Sequence, residues 1–141
     1  MIQEAYVSFE SAKLLKEKGF NESARCWYDT YYRELHLDGC KMCNSDCIKD
    51  TFMAPTQQMA MRWLREVHNI HIKPCISYDT SEDADGNEVE RWTFWLWEIF
   101  SVNSGNLILC EEIEEYDSYE QACEAAIKYC LENLIKDTDH E

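Results

Sequence analysis

The run Trp92-Thr93-Phe94-Trp95-Leu96-Trp97-Glu98-Ile99-Phe100 constrains the fold of this chain more than any other segment. Seven of its nine residues are apolar, and they occupy both phases of a strand's two-residue period. So short a stretch, interrupted by Glu98, does not cross a membrane. A strand covered on both faces reads this way, which places it at the centre of a sheet. Just upstream, Ile70, Ile72, Pro74, Ile76 and Tyr78 alternate with His71, Lys73, Cys75 and Ser77, the pattern of a half-buried strand. Pro74 has no amide hydrogen to give a ladder, so this second strand belongs at a sheet edge. Asp83-Ala84-Asp85-Gly86-Asn87 is a turn between the two, and Asn103-Ser104-Gly105-Asn106 turns the chain into a third strand over 107–113. Together they predict a three-stranded antiparallel meander.

Helical periodicity appears three times. Over 8–18, Ser8 is the N-cap, Gly19 the stop signal, and Phe9, Ala12 and Leu15 share a face. Over 55–68, Pro55 suits the first turn, Met59, Ala60, Trp63, Leu64 and Val67 recur at helical spacing, and Asn69 tolerates a left-handed exit. The third follows a capping box, Ser118 with Gln121, and carries a stripe of Tyr119, Ala122, Cys123, Ala126, Ile127, Cys130, Leu131 and Leu134. On its other side Glu124, Lys128 and Glu132 are spaced for i,i+4 pairing. Between the first two helices, an aromatic strand over 25–32, a turn at His36-Leu37-Asp38-Gly39 and a strand over 47–53 suggest a hairpin. The 141 residues, with no linker or repeat, thus predict one α+β domain: an antiparallel sheet of meander plus N-terminal hairpin, packed by three helices.

Charge is sharply divided. Residues 1–78 hold ten acidic and ten basic side chains, whereas residues 79–141 hold eighteen acidic against Arg91, Lys128 and Lys136, giving the net charge of −15. The second half is therefore not expected to bind nucleic acid directly, because that affinity comes from Lys and Arg displacing counterions. Glu111, Glu112, Glu114, Glu115 and Asp117 form the densest run and are the candidate partner-binding residues. Read plainly, such a run is a solvated face. Read more sharply, its carboxylates imitate phosphates and occupy a basic groove on another protein.

Eight cysteines in a chain that opens MIQEAYVSFE, without the basic start and apolar core of an export signal, read as thiols in a reducing cytoplasm. Cys123 and Cys130 lie on an apolar helix stripe and read as core. Cys40, Cys43 and Cys47 are the one cluster with zinc-ligand spacing, but half a signature: the fourth ligand would come from His36, Cys26, His68, His71 or Cys75. Lys41, Lys49, Arg62 and Arg65 would accompany such a zinc module toward nucleic acid. His71 and Cys75 stand four residues apart on one strand face, about 13 Å, too far for an activated thiolate. Ser81-x-Asp83-x-Asp85-Gly86 begins like a calcium loop, yet Trp92 occupies the place of the closing Glu. No phosphate-binding glycine loop and no Ser-His-Asp arrangement is recognisable, so the chain reads as non-enzymatic and needs no cofactor.

Three stretches stand together: Ser8-Phe9-Glu10-Ser11-Ala12-Lys13-Leu14-Leu15-Lys16-Glu17-Lys18-Gly19-Phe20, Ala54-Pro55-Thr56-Gln57-Gln58 through Trp63-Leu64-Arg65-Glu66-Val67-His68-Asn69-Ile70-His71-Ile72, and Tyr116-Asp117-Ser118-Tyr119-Glu120-Gln121-Ala122 through Lys128-Tyr129. They resemble a group of small uncharacterised proteins encoded by phages and mobile elements of gut Bacteroidales bacteria. The matching residues are largely caps and stripes, so the resemblance implies the fold and no catalytic residue. With the acidic half and the lack of a catalytic constellation, it leads to the expectation of an accessory factor of a phage or mobile element acting on a host or phage protein. Combined with the acidic half, the expectation is a protein that binds a basic protein surface; the alternative is the zinc module on Cys40, Cys43 and Cys47.

Overall fold

The helices α1 (Phe9–Glu17), α2 (Gln57–His68) and α3 (Tyr119–Asn133) each start one residue after a hydroxyl side chain. In the computed structural model, which describes residues 1–136 and only the backbone of residues 38 and 39, those hydroxyls cap alike. Ser8, Thr56 and Ser118 each accept from the amide three residues on, at 3.1 Å in all three cases. Thr56 takes the role expected near Pro55, which lies just outside the helix and gives its carbonyl to the Val7 amide. Gln121 reaches past Ser118 and accepts instead from the Asp117 amide at 3.0 Å. Gly19 and Asn69 both adopt the left-handed conformation that ends α1 and α2.

Among the described residues, six strands form two antiparallel sheets of three. The first contains β1 (Ala24–Asp29), β2 (Leu35–Met42) and β3 (Thr51–Ala54) in the order β2-β1-β3. Residues 36–39, expected as a turn, are strand: the reversal comes earlier, at Thr30–Glu34, where Arg33 takes a positive φ. The second sheet is the predicted meander, β4 (Ile70–Glu82), β5 (Glu88–Ser101) and β6 (Leu107–Cys110) in the order β4-β5-β6. Pro74 is thus at an edge and β5 in the middle, as the sequence implies.

α1 packs on β3 and α3, while α3 and α2 pack on the second sheet. One core joins all of them, with Leu15, Phe20, Leu64, Ile99, Ile127 and Leu131 fully buried. Only one face of β5 meets helices, however. Trp97 and Ile99 are buried beneath α3, whereas Phe94, Leu96 and Phe100, on the opposite face, are half-buried by their own strand neighbours. A single helical layer explains this: the expectation of cover on both faces of β5 is corrected to one.

α3 is attached to α1 by a contact that sequence spacing does not suggest. Glu124 accepts from the Ser8 amide and from the Ser11 hydroxyl (2.7 Å) rather than joining Lys128. Lys128 pairs with Glu132 alone, at 3.9 Å. A carboxylate at the start of a helix also lies where the α1 dipole favours it.

Candidate interaction surface

Beyond the helices, β4 and β5 continue together as a two-stranded ribbon. No residue from 78 to 94 is buried, and from Trp95 to Glu88 the ribbon extends roughly 24 Å at strand rise. Its tip is set by Asp83, whose carboxylate accepts from the amides of Asn87 and Asp85, both at 2.9 Å. These amides, Asn87 foremost, hold the Asp83 carboxyl below its usual range, so it remains charged. With Gly86 at positive φ, the would-be calcium loop is a turn bonded to itself. Asp79, Glu82, Asp85 and Glu90 are exposed along the ribbon, and Arg91 is engaged by Glu88 at 2.7 Å and by the Tyr78 ring at 4.4 Å.

The 111–117 segment meets the ribbon at its base. β6 ends at Cys110, the Glu111 amide bonds the Trp97 carbonyl, and Tyr116 exchanges both backbone bonds with Trp95. The chain between bulges outward, bearing Glu112, Glu114 and Glu115, with Ile113 at 90% exposure. Four of the five predicted carboxylates project into water. The fifth, Glu111, turns back to accept from the amides of Ile113 (2.9 Å) and Glu114 (3.2 Å), and so shapes the bulge that presents the others. From Asp79 to Asp117 the chain carries twelve carboxylates and one cation, Arg91.

The cysteine segment is organised differently. Asn44, in a single 3-10 turn (Asn44–Asp46), is buried. Its amide donates to the Phe20 carbonyl at 2.8 Å and its oxygen accepts from the Met53 amide at 2.9 Å, tying the loop to β3 and to the end of α1. Cys40 lies exposed in β2, while Cys43 and Cys47 flank the turn and Cys47 donates to the Cys43 carbonyl at 3.4 Å. Among the described residues no group of three or more His, Cys, Asp or Glu is placed to hold a metal ion. The suggested fourth ligands are scattered: His36 stacks on Trp27 and bonds Asp29 (2.8 Å), Cys26 faces the core, and His68 packs edge-on to Trp63.

Cys75 donates to Glu98 at 2.9 Å on the open face of the second sheet. Burial first, and Glu98 second, push its thiol up to about 11, so it is a proton donor rather than a nucleophile. Burial raises Cys123 to about 11 and Cys130 to about 12. In a time course with iodoacetamide at roughly pH 8, where only thiolate reacts, Cys40 should label well before Cys75. Cys123 and Cys130 should stay unlabelled until the protein unfolds; peptide mass spectrometry reads the order, and early labelling at Cys130 contradicts the core described above.

A hollow of about 410 Å³ lies beside the first turn of α2, lined by Tyr6, Arg25, Cys26, Lys41, Pro55 and Met59 among others. No histidine borders it. The aromatic run holds its surprise at the other end: Trp95 packs on Tyr119 and Trp97 is buried, whereas Trp92, on the ribbon, is 43% exposed. No protein-family model, curated protein or solved structure matches the chain. No helix among the described residues is long and apolar enough to cross a membrane.

Proposed function

We propose that this chain is a non-enzymatic interaction protein that binds a basic surface on another protein through the β4–β5 ribbon and the 111–117 bulge. The observation that carries this reading is the position of the carboxylates. Apart from Glu98, which accepts from Cys75 in the body of the sheet, those of Asp79 to Asp117 stand at one end of a single sheet and project largely into water. Among the described residues of the second half, the ion pairs Arg91–Glu88 and Lys128–Glu132 join near neighbours and leave most of that negative charge unmatched. Such a field speeds encounter with a positive partner and repels phosphate backbones. The fitting partner is a protein whose own basic groove takes nucleic acid, the ribbon's carboxylates standing in for phosphates. The resemblance to phage and mobile-element proteins supports an accessory role of this kind.

The test uses two baits on lysate of a gut Bacteroidales host: the native protein, and one carrying E112Q, E114Q, E115Q and D117N. The native protein should retain a basic partner that elutes as sodium chloride rises from about 0.1 to about 0.5 M, through the range where exposed charges become screened. The neutralised bait should retain much less of it. Retention indifferent to both salt and the four substitutions overturns the reading.

A further inference from the structure

The two long edges of the ribbon are not equivalent. In an antiparallel strand successive residues point their backbone N–H and C=O to opposite sides. Trp95 and Trp97 direct theirs away from β4, the first to Tyr116 and the second to Glu111. Arg91 and Thr93 have the same parity, and opposite them on β4 are Thr80 and Tyr78. Their backbone groups therefore face the same side as those of Trp95, where pairing among the described residues stops at the Trp95–Tyr116 bridge. β5 is thus a central strand as far as Trp95 and an edge strand beyond it. The facing edge of β4 has a break, since Pro74 lies opposite Trp97 and presents no donor there. The 88–94 stretch of β5 contains no proline.

We infer that this open edge of β5 takes an extended, basic segment of the partner as an added strand, continuing the ladder that Tyr116 leaves off. The inference rests on the function proposed above and specifies how that surface is used. Charge selects the occupant. Glu88 and Glu90 lie on the edge, and Glu112, Glu114 and Glu115 project from the bulge at its end. A second copy of this chain would bring the same negative ribbon alongside, which like-charge repulsion opposes. A strand with Lys or Arg at alternate positions meets opposite charges instead. Those basic side chains lie on the outer face that Glu90 shares with Trp92 and Phe94, and the remaining side chains fall on the other face, beside Arg91 and Thr93. Backbone bonds then supply affinity, and the alternate side chains supply selection.

The probe is a ten-residue peptide of alternating lysine and valine, titrated into the full chain. Thr93→Pro removes only the outward amide and keeps every charge and the β4 ladder. It should weaken peptide binding at least tenfold, and E112Q/E114Q/E115Q should weaken it as well. In the native protein the Arg91 and Thr93 amides should gain protection from hydrogen exchange when peptide is added, while the Trp92 amide, turned to β4, should not; this readout stands even where Thr93→Pro folds poorly. Binding that survives Thr93→Pro without new protection at Arg91 and Thr93, but falls on neutralisation, overturns strand addition and leaves the acidic surface standing. Binding indifferent to neutralisation and salt overturns the acidic reading too. No binding by the native protein overturns the strand inference.

Discussion

Asn44→Ala should lower the unfolding free energy by about 2–4 kcal/mol, since each buried polar group left unpaired costs roughly 1–3 kcal/mol. The side chain holds two partners at once, the Phe20 carbonyl and the Met53 amide, and both lie where water does not replace it. Its loss therefore orphans a donor and an acceptor on segments far apart in the chain. In a domain of this size the melting temperature should drop by roughly 10 °C. Asn44→Asp is a sharper probe. It keeps an acceptor for Met53 but aims a carboxylate at the Phe20 carbonyl, so it should be at least as damaging as alanine. Ser45→Ala, one residue on, removes a side chain whose exposed position carries no such bond, and should stay within about 0.5 kcal/mol of the native protein. Thermal and urea unfolding read all three. A loss below about 1 kcal/mol for Asn44→Ala would mean that the cysteine segment is held by something other than this side chain.

Glu124→Ala should cost about 3 kcal/mol, because hydrogen bonds to a charged group contribute roughly 1.5–3 kcal/mol each and two are lost. One partner, the Ser11 hydroxyl, belongs to a fully buried residue; the other is the Ser8 amide at the start of α1. Glu124→Gln keeps an acceptor and should cost about half as much. Pairing Glu124→Ala with Ser11→Ala gives a double-mutant cycle in which the losses should fall short of additivity by about 1–2 kcal/mol. Strict additivity would show that the two groups do not act on each other, and the attachment of α3 to α1 would have to be explained by apolar packing alone.

Local signals in the sequence reached far. The hydroxyl caps of α1 and α3, the left-handed exit at Asn69, the edge position of Pro74 and the central position of β5 all rest on near-neighbour chemistry that a short window contains. What escaped depends on distance. Glu124 reads as an outward partner of Lys128 because i,i+4 spacing is visible and a serine more than a hundred residues away is not. Residues 36–39 read as a turn because Asp38 and Gly39 are turn formers, yet pairing with β1 overrides that preference and places Leu37 opposite Cys26. Asn44, between cysteines, carries no local mark, since nothing in a short window distinguishes a buried asparagine from an exposed one. Of the interaction surface, the carboxylates of the 111–117 run were legible as a cluster. Their adjacency to the β4–β5 turn was not, because it requires knowing where β6 stops. Trp92 was legible as an apolar residue of the run, but its exposure follows from the reach of α3, which ends its cover near Trp95.

That early stop of β6 has a consequence for how such a chain changes over generations. The ribbon past Trp95 supplies nothing to the interior, so the ribbon residues proposed to meet a partner and the residues that hold the globule together are separate sets. Replacements at Asp79, Glu90 or Trp92 should leave the core in place, so a lineage is free to vary this appendage site by site while its helices stay constant.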